Sequence, residues 1–178
     1  MTNGAAKDEA PRFAVFKGTD AQPYAEMTIM QYEPMSAVAS EGVQRATDVG
    51  WDNGHDMKLI FSTPGFSLIR LWFKSGFPLP RHCHDVDCLY YIVGGSLRIG
   101  HEELGVGDGF FIGRDVPYMY TPGPEGVEVL EFRAADAFNI SVLADNRIFW
   151  DKALDTVHSK LGTWAQEVAP SSSSKSAR

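Results

Sequence analysis

The sequence lacks most of what would place it in a membrane, on nucleic acid or in a disulfide scaffold. No apolar run approaches the ~20 residues of a membrane helix; the longest candidates, such as Phe66–Phe73, are strand-sized. Met1–Pro11 is polar and has no apolar h-region, so no secretory signal is expected. There are only two cysteines, Cys83 and Cys88, too few for a disulfide framework. Free thiols without a signal point to a reducing cytoplasm. Lysine and arginine form no cluster and the net charge is −7, which argues against nucleic acid and against anionic membrane surfaces. Gly-x-Ser-x-Gly, Cys-x-x-Cys, the paired ligands of a zinc finger and a glycine-rich phosphate loop are all missing. These absences exclude the common hydrolase, redox and phosphate-binding readings.

What is there fits one domain of 178 residues, with 44% hydrophobic and 12% aromatic residues to fill a core. From Met57 onward apolar stretches alternate with turn signals. Met57–Ser62 ends at Thr63-Pro64-Gly65, and Phe66–Lys74 ends at Ser75-Gly76. Cys88–Val93 stops at Gly94-Gly95 and is followed by Ser96–Ile99. Gly107–Ile112 and Gly126–Arg133 are split by Thr121-Pro122-Gly123-Pro124. Short strands at ~8–12-residue spacing predict an all-β sandwich or barrel.

One helix is expected near the C-terminus. Phe149, Trp150, Ala153, Leu154, Val157, Leu161 and Trp164 recur at three- and four-residue steps, with Asp145 or Asn146 as cap. Its stripe must bury against the barrel or a second subunit. The expected organisation is an N-terminal extension over 1–50, a barrel over 51–145, a helix over 146–169 and a disordered serine-rich tail over 170–178. Within the extension, Pro23, Pro34 and Gly42 break any long element.

The chemistry concentrates in Pro80-Arg81-His82-Cys83-His84-Asp85-Val86-Asp87-Cys88. Strand side chains alternate faces, so His82 and His84 project together and can reach one metal ion. Cys88 and Tyr90 share their parity if the strand is unbroken; Asp87 joins them only across a bulge. Cys83 faces away as a structural thiol. His101 in a hairpin turn and His158 on the helix read as surface residues, and His55 reads as a loop residue beside two carboxylates.

This context resembles the cupin family. The first cupin motif runs Gly, five residues, His-x-His, three or four residues, Glu, six residues, Gly. Here Gly76, His82, His84 and Gly95 fill those places, with Cys88 at the glutamate position. The second motif begins well at Gly107-Asp108 and keeps Pro117. It then departs: Gly113 replaces its proline, Asp115 its glycine, Tyr118 its histidine and Pro122 its asparagine. The resemblance covers roughly Phe66–Arg133.

The resemblance implies a cupin-type antiparallel β-barrel (jelly roll) with a C-terminal α-helix, a metal in the barrel mouth and a homodimer. It implies a metal-dependent enzyme on a small organic, possibly aromatic, substrate, of dioxygenase or lyase/isomerase type. The metal would be iron, zinc, manganese or nickel, held by His82 and His84 with Cys88, Asp87 or Tyr118, or by the two histidines alone. Tyr118 and Tyr90 are the candidate catalytic residues. The alternative is a non-catalytic small-molecule-binding or sensor barrel that has lost its metal.

Overall fold

The computed structural model describes residues 10–173. Two β-sheets and two long helices dominate the described residues. β1 (Gln22–Pro23) and β2 (Met30–Tyr32) come from the segment expected to be a mere extension. α1 (Ala37–Asp48) follows, then β3 (His55–Thr63), β4 (Phe66–Phe73), β5 (His82–His84), β6 (Cys88–Ile99), β7 (Glu102–Gly105), β8 (Gly109–Ile112), β9 (Thr121–Arg133) and β10 (Phe138–Val142). α2 (Arg147–Trp164) and a single turn, α3 (Pro170–Ser173), end the described chain.

The larger sheet runs β1-β3-β4-β9-β6-β7, with β8 also paired to β6. The smaller sheet is β2-β10-β5. All pairings are antiparallel except β2 with β10. The all-β class with a C-terminal helix is therefore the observed one. Among the described residues no helix is long and apolar enough to cross a membrane.

Three local expectations change. Cys88–Ile99 is one strand rather than two, because Gly94-Gly95 forms an irregularity inside it rather than a stop. Gly95 sits at φ 69°, and a Cβ there would lie 2.1 Å from the Gly126 carbonyl oxygen, so the glycine permits a close strand approach. Thr121–Pro124 likewise belongs to β9, with Pro122 opposite Leu97, near the end of their pairing. Gly42 does not break a helix; it lies in the middle of α1. A Cβ at Gly42 would fall 2.1 Å from the Trp150 indole, so the missing side chain lets α1 and α2 meet.

The apolar stripe of α2 is buried within the chain. Trp150, Ala153 and Leu154 pack with Ala39 and Ala46 of α1, while Val157 and Trp164 join the core between the sheets. Asn146 caps α2, its side chain accepting the Ile148 N–H at 2.9 Å. The tail begins as structure rather than disorder. Pro170–Ser173 lies against the large sheet, and the Ser171 N–H donates to Glu128 Oε2 at 2.6 Å. Glu128 is fully buried and is also held by Arg70. Residues 174–178 of the expected tail lie outside the described ones.

Candidate active site

β5 carries both histidines on its buried side, because residues two apart in a strand share a face. His82 and His84 are 5% and 7% exposed, and their rings are 5.3 Å apart. Each ring is anchored from behind by a main-chain carbonyl. His82 Nδ1 lies 2.8 Å from Pro80 O, and His84 Nδ1 lies 3.0 Å from Asn139 O. A carbonyl only accepts, so the proton of each neutral imidazole sits on Nδ1 and Nε2 keeps a lone pair. Burial, and the Arg133 charge, lower both basicities, His82 to about 4 and His84 to about 3. The pair is neutral at physiological pH.

The histidines line a cavity of about 420 Å³, within the range usual for small-molecule sites. Its walls are mainly apolar: Leu71, Phe73, Phe77, Leu79, Val142 and Trp150. The supposed extension closes it, through Tyr24, Met30, Tyr32 and Met35 together with Val43 of α1. His55 is no plain loop residue. It opens β3 and lines the cavity, packed edge-on to Tyr24 and Phe77 at 5.9 and 5.6 Å, with Nε2 3.7 Å from Asp52 Oδ1.

Tyr118 lines the same cavity. Its hydroxyl hydrogen-bonds the hydroxyl of Tyr90, which stands behind it and does not itself reach the cavity. Burial raises both phenols; Glu131 adds to the effect at Tyr118, and Tyr118 does so at Tyr90. Both keep their protons across the neutral range. Tyr120 also lines the wall, and Phe110 stacks on Tyr90 at 4.5 Å.

Two expected ligands are not brought to the histidines. Asp87 is exposed in the turn after β5 and accepts the Arg114 N–H at 2.8 Å. The chain turns over Asp85–Asp87, so β5 and β6 are separate strands and Cys88 packs in the core instead of lining the cavity. Burial, with Glu131 nearby, pushes its thiol up to about 12, so it is no thiolate at neutral pH. Among the described residues no three His, Cys, Asp or Glu side chains are grouped to hold one metal. Cys83, on the opposite face of β5, is partly buried, and His101 and His158 are exposed as expected.

Sequence reasoning missed Glu131 and Arg133. Both lie on β9, both are buried, and both line the cavity. They form an ion pair, Arg133 Nη1 to Glu131 Oε2 at 2.8 Å. Parity was the available signal: Glu131 and Arg133 share the face of the fully buried Val127 and Val129.

No family model matches the chain, and no curated protein does. The solved structures it resembles include an RmlC-like cupin. That protein, from Shewanella frigidimarina, is 15% identical over 71% of this chain and 92% of its own length, with a TM-score of 0.46. KdgF from a Halomonas species is 19% identical over 46% of this chain and 79% of its own, with a TM-score of 0.41. The polyketide cyclase RemF from Streptomyces resistomycificus is 20% identical over 45% and 64%, also with a TM-score of 0.41. Where the second cupin motif has glycine, Asp115 adopts φ 61°, a left-handed conformation that Asp tolerates better than most residues.

The donor set can be tested against a divalent transition metal. The two imidazoles fit: each is neutral, each is fixed through Nδ1 to a carbonyl, and neither Nε2 has a protein partner among the described residues. Cys88 and Asp87 do not fit, so such a metal would take its remaining ligands from water or substrate.

Proposed function

We propose that the chain is an enzyme acting on a small, largely apolar organic molecule, with a divalent transition metal (iron, zinc, manganese or nickel) held by His82 and His84. The observation that carries this reading is the pair of neutral, carbonyl-anchored imidazoles in the wall of a mainly apolar cavity. Bound there, the metal supplies Lewis-acid polarisation of a substrate oxygen.

The chain's own residues do the rest. The aromatic and aliphatic walls bind the apolar body and keep water away from its polar end. Tyr118 holds a proton at Oη, and as the phenol beside the histidines in the cavity wall it is the residue we assign to give that proton to oxygen or carbon on the substrate. Tyr90 orients that hydroxyl from behind. Of the reaction types implied by the cupin resemblance, lyase or isomerase chemistry suits this proton-handling pair best.

A non-catalytic binding barrel is the second reading. It is favoured by Tyr118 standing where a third imidazole would be and by Cys88 standing outside the cavity. Metal analysis of protein expressed without supplementation, and after incubation with each metal, separates the two. The enzyme reading expects stoichiometric metal that is lost in His82→Ala and His84→Ala. No metal in any preparation would leave the binding barrel.

A further inference from the structure

Arg133 is 2% exposed, yet its guanidinium is under-used. Nε has no hydrogen-bond partner, and Nη1 meets Glu131 Oε2 at 2.8 Å as an ion pair without hydrogen-bond geometry; the Phe138 ring, whose centroid is 4.0 Å from Cζ, covers the group. A guanidinium with unmade hydrogen bonds is costly to bury. This one is not surplus core, since Arg133 lines the cavity together with Glu131, His82, His84 and Tyr118. Phe138 ties the cluster together: the ring that carries Arg133 also meets His84 edge-on at 5.3 Å.

The cluster has a definite hydrogen-bond signature. Arg133 stays protonated: burial works against its charge, but the Glu131 carboxylate together with Tyr90, Cys88 and Tyr118 raises its basicity overall, and a guanidinium keeps its proton in proteins. It offers donors only. The two histidines, neutral with the proton on Nδ1, offer acceptors at Nε2. Without a metal on the histidines the net charge is zero, because Glu131 cancels Arg133. A ligand carboxylate brought here would meet Glu131 as well as Arg133, in a site too dry to screen the repulsion. A neutral carbonyl oxygen meets no such opposition, and a hydroxyl on the same molecule can donate to a histidine Nε2 or, where the histidines hold a metal, offer that metal its oxygen.

We propose that the cavity selects a neutral hydroxy-carbonyl compound: a ring or apolar body bearing a carbonyl oxygen for Arg133 and a hydroxyl for His82 or His84. This deepens the function proposed above and rests on the same cavity, though it does not need the metal. Arg133 becomes the specificity-determining residue, and Glu131 the counter-charge that turns the site against anions.

The test is a binding titration of the full chain, read by fluorescence of Trp51 and Trp150, both of which line the cavity. The probes are meta- and para-hydroxyacetophenone, acetophenone and meta-hydroxybenzoate, each with chelator and with added zinc. With chelator present, at least one hydroxyacetophenone is expected to bind about tenfold or more tighter than acetophenone and than the benzoate, and the zinc series shows what a metal adds. Arg133→Met should erase the preference for the carbonyl. Because that variant leaves Glu131 unpaired in the core, the neutral pair Glu131→Gln with Arg133→Gln serves beside it and should admit the benzoate relatively better. Equal affinity for all probes, or tighter binding of the benzoate to the unaltered protein, overturns the proposal. Metal content is read separately, so loss of the metal reading leaves this result standing, and the reverse.

Discussion

The rings of Tyr118 and His82 lie 4.4 Å apart, centroid to centroid, and the same two residues exchange a pair of main-chain hydrogen bonds. His82 N–H reaches Tyr118 O at 3.1 Å, and Tyr118 N–H reaches His82 O at 2.9 Å. The phenol and the imidazole are therefore fixed to each other through backbone, which loops rarely achieve alone. A pair held in this way needs no ordering on binding.

Tyr118→Phe keeps the ring contact and removes the hydroxyl. The Tyr90 hydroxyl then loses its partner in a buried site, so stability should fall by about 1–3 kcal/mol in denaturant titration. Metal content should not change. If Tyr118 delivers a proton, turnover should fall by ~10²–10⁴. Full turnover in this variant would remove Tyr118 from the chemistry.

Acid should destabilise the metal-free protein in a defined window. The folded-state values of His82 and His84 lie at about 4 and about 3, below the ordinary 6.5. The unfolded chain takes up protons first, so this stability is fully present above pH ~6.5 and is lost as pH falls toward the folded values. Each histidine contributes a slope of up to about 1.4 kcal/mol per pH unit. Denaturant midpoints measured from pH 7 to 4 should fall less steeply in a variant with both histidines replaced by glutamine. Parallel profiles would show that the two imidazoles are not buried neutral.

Cys88→Ser tests the thiol that stands at the cupin glutamate position. With Cys88 outside the cavity wall, metal content should match the unaltered protein. The cost should be structural, about 1–3 kcal/mol for a hydroxyl buried in the apolar core. Metal lost selectively, with the melting temperature unchanged, would restore Cys88 as a ligand.

Gly42→Ala probes the helix contact. The new methyl overlaps the Trp150 indole, so α1 and α2 must separate, at about 1–3 kcal/mol. Trp150 also lines the cavity, so ligand affinity should drop along with thermal stability. A melting curve like that of the unaltered protein would mean that the helices reseat freely.

Much of the fold was legible because its signals are local. Phe66–Lys74 and Gly126–Arg133 show apolar runs bounded by glycine and proline, and they correspond to β4 and the inner part of β9. His82 and His84 were legible because two residues apart on a strand is a geometric statement. The turn at Asp85–Asp87 was not, and it decides that Cys88 and Asp87 leave the site. The closing wall from Tyr24 to Met35 was hidden for a different reason. β2 is placed by pairing Met30–Tyr32 with Phe138–Ile140, more than a hundred residues later, and no periodicity in the segment itself announces that. Gly42 was read for its backbone freedom when its small volume was the point. Glu131 and Arg133 belong to no motif, so only their strand parity points inward.

The seat of α3 on the large sheet has a practical side. Glu128, enclosed by the sheet, Arg70 and the turn at Pro170, depends on an amide that arrives from the far end of the chain. Cutting the chain at residue 169, or joining a purification tag there, would expose that carboxylate and loosen the strand that also carries Glu131 and Arg133.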